Sequence, residues 1–319
     1  MRMLIAVCIL CSPVLAKEVF PTFVSADGKQ TMRARPVAVD AGKIKFERED
    51  GSAFVAGPDK FSEKDQKQLR AWADAMKNHA HAALIARVQA AETLRVLFVG
   101  NSYSFQIPKA FENLAKAEGK KIHVEQVTKG GWTLAKHASA QATLDKIARG
   151  KWDVVVLQEQ SQLPAFQEPQ RSQQMDAPAR QLADAVRTAD AIPVFFLTWG
   201  RKDGDRQNAA VFPDDTYEAM QKRLASGYRK TAAHAGGAYV VPVGEAWSML
   251  HQMKKDDGLY AADGSHPAKR GNYLGACVFY SSLYDAKVTQ SARDIPDAET
   301  IRRAAASARL APLPYPLHR

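Results

Sequence analysis

From Leu94 onward, apolar runs alternate with amphipathic segments. The runs are LRVLFVG, KIHVEQVT, WDVVVLQ, IPVFFLT and AYVVPVG. Their apolar residues are mostly consecutive rather than alternate, which is the pattern of strands covered on both faces. Between them, IPKAFENLAKAEG and DTYEAMQKRLASGYRKTAAHAGG carry apolar residues at helical spacing. The alternation predicts an α/β domain over residues 94–290, with a five-stranded parallel sheet between two helical layers.

The chain before Leu94 has a different period. VFPTFVS, ARPVAVDAGKIKFERED and SAFVA alternate in twos, and Asp27-Gly28 and Asp50-Gly51 between them are hairpin signals. Residues 17–60 are expected to form a small β-rich module, an antiparallel sheet or barrel. Ser62 and Asp65 then have a variant of capping-box spacing, and Leu69, Trp72 and Met76 recur at helical spacing. A linker helix over 61–93 follows, whose Leu84, Ile85 and Val88 form an apolar stripe that would face water unless it packs on the sheet domain. Residues 291–319 are left for a C-terminal helix and tail.

The segment MRMLIAVCILCSPVLA has one positive charge, an apolar stretch and small residues before Lys17, which fits an export signal cleaved near Ala16. That predicts a secreted or periplasmic protein. Cys8 follows Val7 and Cys11 follows Leu10, which disfavours a lipoprotein anchor. Cleavage would leave Cys277 without a disulfide partner, and its setting in ACVFY suits a buried structural thiol. No apolar run reaches the roughly 18 to 20 residues of a membrane-spanning helix. A composition of 46% hydrophobic and 24% charged residues excludes a disordered chain. The net charge of +10 comes from scattered basic residues, so it implies a weak tilt towards acidic partners and no specific nucleic-acid partner.

In parallel sheets ligands bind at the carboxyl ends of strands, so chemistry is sought just after each run. GNSYSFQIPKAF follows the first run, with Gly100 permitting a sharp turn, Ser102 in that turn and Pro108 suited to a helix start. A dinucleotide loop would need more glycines here and a P-loop would need Gly-Lys-Ser/Thr, and neither occurs. After the second run, Gly130 and Gly131 can bring bare N–H groups close to a ligand, and Trp132 could wall a pocket or pack beneath a helix. Gln158 and Gln160 end the third run, on one side if the extended pattern persists; they suit either oxyanion donors or a loop start. Near the end of the domain, Asp263 and His266 are three apart, and Pro267 is expected to begin a helix. The other seven histidines, His137 among them, read as surface or capping residues.

Together these segments resemble the SGNH, or GDSL-like, hydrolase superfamily, in motif order over roughly residues 94 to 285. The resemblance implies an SGNH/flavodoxin-like sandwich and a serine hydrolase acting on carboxylic esters. GNSY would supply the nucleophile Ser102, DGSH would supply Asp263 and His266, and Gly130 or Gly131 would fill the second block. The Ser102 amide, a glycine amide and either Gln160 or Gln158 would form the oxyanion hole, with Trp132 and Asn101 beside the substrate. Asn101 stands where an acidic residue is usual, and LQEQS replaces the third block's glycine and asparagine, the pattern of a divergent branch. His266 would take the serine proton and return it to the leaving alcohol, with Asp263 orienting the ring. No cofactor or metal is called for, since HExxH, paired cysteines and clustered histidines are absent from the sheet region. A superfamily rich in carbohydrate esterases suggests an acylated saccharide as substrate; a lipid or thioester hydrolase and a silent carbohydrate- or peptide-binding module are the alternatives. FVSADGKQ, KIKFEREDGSAFVAGPDKFS and SEKDQ resemble an SHD1-type domain, which binds short peptides in eukaryotic relatives; the N-terminal module is expected to be a structural appendage or spacer, with peptide or surface binding as the alternative.

Overall fold

A computed structural model describes residues 21–40, 43–48, 52–290, 292 and 294–310. Residues 1–16, read above as an export signal, the Asp50-Gly51 pair and the residues from 311 on lie outside the described residues. The chain divides into two compact units, Met1–His79 and Ala80–Arg319.

The small unit contains two short antiparallel sheets rather than one. Strands β1 (Thr22–Val24) and β2 (Thr31–Arg33) form a hairpin around Asp27-Gly28. Its turn is tied by Asp27, whose carboxylate accepts from Ser25 Oγ at 2.6 Å and from Lys29 N at 3.1 Å. Strands β3 (Arg35–Asp40), β4 (Lys43–Glu47) and β5 (Ala53–Ala56) make the second sheet, in that order. The rings of Phe23, Phe46 and Phe61 meet at 5.3 to 5.6 Å and, with Ile44 and Leu69, fill the core. Leu69 comes from helix α1 (Glu63–Ala90), whose start is capped as its sequence suggests. Ser62 Oγ accepts from Asp65 N at 3.3 Å and donates to the Asp65 carboxylate at 2.9 Å.

In the large unit, five parallel strands follow the apolar runs: β6 (Leu94–Gly100), β7 (Ile122–Thr128), β8 (Val154–Leu157), β9 (Ile192–Phe196) and β10 (Tyr239–Val241). Their spatial order is β10-β9-β8-β6-β7. The first strand therefore lies between the second and the third, the switch point at whose carboxyl edge ligand sites of such sheets are found. Period two sorts the side chains. Val96, Phe98, Val154 and Val156 enter one core, while Leu97, Val99, Val155 and Leu157 enter the other.

The first core is covered by α2 (Ile107–Ala117), α7 (Val243–Gln252), α8 (Lys269–Tyr284) and α9 (Ala298–Leu310). Leu84 and Val88 of α1 are buried in it, which gives the apolar stripe its cover. The second is covered by α3 (Leu134–Ala138), α4 (Gln141–Arg149), α5 (Gln170–Thr188) and α6 (Tyr217–His234). Cys277 on α8 is fully buried, and burial pushes its thiol up to about 12. Among the described residues no helix is long and apolar enough to cross a membrane.

Two local expectations change. Strand β8 stops at Leu157, so no extended alternation places Gln158 and Gln160 on one side. Helix α8 starts at Lys269 instead of Pro267, because a bridge between Tyr260 and Pro267 and the 2.8 Å bond from Ala268 N to Leu259 O hold its approach extended.

Candidate active site

The site is built where β6, β7 and β8 end. After Gly100 the chain makes a single 3-10 turn over Ser102–Ser104, capped by Asn101, whose Oδ1 accepts from Tyr103 N at 3.2 Å. The turn presents Ser102, half-buried, at the sheet edge. Gly100 is required by a close approach: a Cβ there would lie 2.5 Å from Gln158 Oε1 and 3.0 Å from Gln158 Cβ.

From the far end of the domain, the loop before α8 delivers Asp263 and His266. Ser102 Oγ is 2.8 Å from His266 Nε2, and His266 Nδ1 is 2.5 Å from Asp263 Oδ2. A carboxylate only accepts, so Nδ1 donates to Asp263 and Nε2 is left to accept from Ser102. Asp263 Oδ1 accepts from the amides of Ser265 and His266, both at 2.9 Å. Burial alone would raise the Asp263 carboxyl, but the bonds from the His266 ring and these two amides prevail and hold it at about 2.

Aromatic stacking supports this loop. The Tyr103 ring lies edge-on to His266 at 5.4 Å and stacks on Trp199 at 4.8 Å, which stacks on Trp247 at 4.1 Å. Tyr103 OH meets Ser265 Oγ at 2.6 Å, and Trp199 Nε1 donates to Ser265 O at 3.0 Å. The Ser102 turn and the His266 loop are thus fixed on one rigid support.

The second strand's end supplies the turn Lys129–Trp132, anchored by Lys129 N donating to Gly100 O at 3.2 Å. Gly130 and Gly131 are exposed, and Gly131 has φ +67, a conformation that favours glycine. Among the described residues the N–H groups of Ser102, Gly130 and Gly131 donate to no protein acceptor. Trp132 packs against α3: its ring is half-buried against His137 at 4.9 Å, and Lys129 Nζ sits 4.3 Å from its centroid.

Asn101 and Gln158 face the interior, unlike the substrate-facing and donor positions expected of them. Asn101 is 2% exposed; its Nδ2 donates to Trp132 O at 3.0 Å. Gln158 is fully buried, and its Oε1 accepts from Asn101 N and Ser104 Oγ, both at 2.9 Å. Both hydrogens of its Nε2 are committed, one to Asn101 Oδ1 at 2.9 Å and one to the Glu159 carbonyl. Gln160 differs: it is half-buried, its Oε1 accepts from Gln162 N at 2.8 Å, and its Nε2 donates once, to Gln162 Oε1 at 3.2 Å.

Two buried residues near the site were not among the candidates read from the sequence. His137 is no surface residue; it is fully buried, its Nε2 donates to Gly100 O at 2.8 Å, and its Nδ1 accepts from Thr143 Oγ1 at 3.1 Å. Burial holds it below its usual range despite the carbonyl partner, so it stays neutral. Its place three residues after Leu134 and one before Ala138, on one helical face, was the available signal. Glu159 is also fully buried, and burial raises its carboxyl to about 7 against the amide bonds it receives.

A solved DUF4886 family protein from Bacteroides uniformis superposes with a TM-score of 0.62 at 20% identity, covering 70% of this chain and 96% of its own. The sheet order and this overlap decide the architecture. The large unit shares that protein's fold, a five-stranded parallel sheet between two helical layers. Two solved esterases align at lower scores. An acetylxylan esterase from Geobacillus stearothermophilus, in a catalytic mutant form, reaches a TM-score of 0.46 at 15% identity, over 62% of this chain and 97% of its own. A psychrotrophic esterase from Pseudoalteromonas reaches 0.44 at 15% identity, over 60% and 97%. No protein-family model and no curated protein matches the sequence. On this fold, the segments around Ser102, Gly131, Gln158 and His266 meet at the carboxyl edge of the sheet.

Proposed function

We propose that this protein is a serine esterase that hydrolyses a carboxylic ester, and that the bond removed is an acetyl or other short acyl group on a saccharide. The observation carrying the reading is the continuous line from Ser102 Oγ to His266 Nε2 at 2.8 Å and from His266 Nδ1 to Asp263 at 2.5 Å. His266 takes the Ser102 proton as Oγ attacks the acyl carbon, then gives it to the departing alcohol. Water repeats the sequence to release the acid. Asp263, held ionised, keeps the ring in its reactive tautomer and stabilises the cation that forms.

The oxyanion falls to N–H groups without a protein acceptor, those of Ser102 and of Gly130 or Gly131. The third donor is assigned to Gln160, because Gln158 has no amide hydrogen left. Trp132, half-exposed beside the glycine turn, suits a sugar face. Export through the 1–16 segment completes the reading, and a mature N-terminus at Lys17 would mark it. The small unit holds none of these groups and is read as a spacer, with targeting as the alternative.

Turnover of an ester series from acetyl to long acyl chains tests this. The expected result is preference for acetyl esters, and loss of about 10⁴-fold or more in kcat for a folded Ser102→Ala variant. Preference for long chains would point to a lipid or thioester hydrolase. No turnover by folded protein would point to a silent binding module.

A further inference from the structure

We propose that Glu159 is a positioning residue for this reaction, holding the turn that carries the Gly130 and Gly131 amides against the end of β8. The inference rests on the ester-hydrolysis reading above. Glu159 Oε1 accepts from Leu134 N at 3.1 Å and from Gln160 N at 2.6 Å. The residue's own N–H donates to Tyr228 OH on α6 at 3.1 Å, so backbone and side chain are both fixed.

Leu134 is the first residue of α3, three after Gly131, and its N–H is one of the amides a helix start leaves unsatisfied. Glu159 thereby joins the second and third strand-end segments with one oxygen. It also touches Gln160, the assigned third donor, through the backbone. The arrangement is costly. The carboxyl is fully buried, and its Oε2 has no hydrogen-bond partner among the described residues. A leucine would fill much of the same space without that cost, so the specific contribution of the glutamate is an acceptor for two amides.

The rest of the turn has separate ties, at Lys129 N, at Trp132 O and at His137. Losing Glu159 would therefore loosen the span between Gly130 and Leu134 without dismantling the loop. Displacing oxyanion donors by about 1 Å costs roughly 10²-fold in rate, and the loss falls on the transition state instead of on ground-state binding. The lone-pair acceptor at Oε1 exists in the acid, the carboxylate and an amide alike. Glutamine should therefore replace Glu159, and leucine should not.

The experiment compares full-length wild type, Glu159→Gln and Glu159→Leu. It reads kcat and KM on an acetyl ester, circular dichroism, and amide hydrogen exchange over residues 129–136. The expected result is wild-type kcat and protection for Glu159→Gln. Glu159→Leu should stay folded, lose about 10- to 100-fold in kcat with KM little changed, and exchange faster at Leu134. Wild-type kcat and protection in Glu159→Leu would overturn the proposal, as would equal losses in both variants. Should Glu159→Leu not fold, wild type alone decides: a Leu134 amide that exchanges as fast as an exposed one would overturn the clamp. If wild type turned over no ester, the exchange data would still judge the clamp, and the reaction reading alone would fall.

Discussion

Two groups of polar residues meet at the strand ends, and they differ in their access to water. Asp263 and His266 keep 49% and 43% of their side chains exposed, whereas Gln158 and Glu159 keep none. The exposed pair forms a chain with one open end, at Ser102 Oγ, through which a proton can move. Gln158 is satisfied on every amide position, and Glu159 spends one oxygen on two backbone amides. Groups committed in this way cannot act on a substrate; they fix where the backbone donors stand. The proposed chemistry thus lies in the open half of the site and its geometry in the closed half.

The contrast predicts different failures in each half. Asp263→Asn should have the largest effect, a loss of about 10² to 10⁴ in kcat, because an amide can hold the ring in the wrong tautomer. Its stability should change by about 1 kcal/mol or less, since the pair is half-exposed. Steady-state kinetics with a urea melt separates the two numbers, and a large stability loss would blur the contrast.

Gln158→Leu should behave in the opposite way. It leaves the Asn101 amide and the Ser104 hydroxyl without their buried acceptor, at about 1 to 3 kcal/mol for each group. Unfolding stability should fall by about 2 to 6 kcal/mol, with activity falling as the Ser102 turn loosens. Thermal unfolding unchanged from wild type would show that the bracket is not structural.

Glu159 adds a pH signature of the closed half. The fold holds its carboxyl at about 7 instead of near 4.5, so the folded state favours the protonated form. The associated stability is fully present below 4.5 and lost as pH rises through about 7. Glutamine does not titrate. Between pH 5 and 8, urea unfolding should therefore shift in favour of Glu159→Gln over wild type by up to about 3 kcal/mol. A constant difference would mean that the carboxyl titrates normally.

The smallest effect belongs to the small unit. Every group of the proposed site lies between Gly100 and His266. A protein beginning at Ser62 should hydrolyse small esters within about two-fold of wild type, as expected when no group of the site is removed. A large loss would give the small unit a part in shaping the site.

The exposed half of the site was readable because chain order does much of the work. Apolar runs such as LRVLFVG and IPVFFLT mark strands buried on both faces, and polar residues just after them fall on one sheet edge. Ser102 and His266 are 164 residues apart, yet parallel topology brings their ends of the domain together. The closed half was not readable in the same way. Glu159 is defined by Tyr228, 69 residues later, and His137 by Gly100, 37 residues earlier. No local period records those partners. For Gln158 and Gln160 the inference failed at one physical point: alternation was carried beyond Leu157, where the ladder ends and the chain turns. Asp27-Gly28 shows the reverse case, a hairpin readable because its chemistry is contained within six residues, Ser25 to Gln30.

The central claim is that Ser102 is an activated nucleophile, and the most direct measurement is its covalent capture. Purified wild type, Ser102→Ala and His266→Ala would each be treated with a fluorophosphonate, digested and mapped by mass spectrometry. The account predicts a single stoichiometric adduct on Ser102 in wild type, none in Ser102→Ala, and greatly slowed labelling in His266→Ala. An unlabelled Ser102 in folded wild type, or labelling that persists unchanged in His266→Ala, would contradict it.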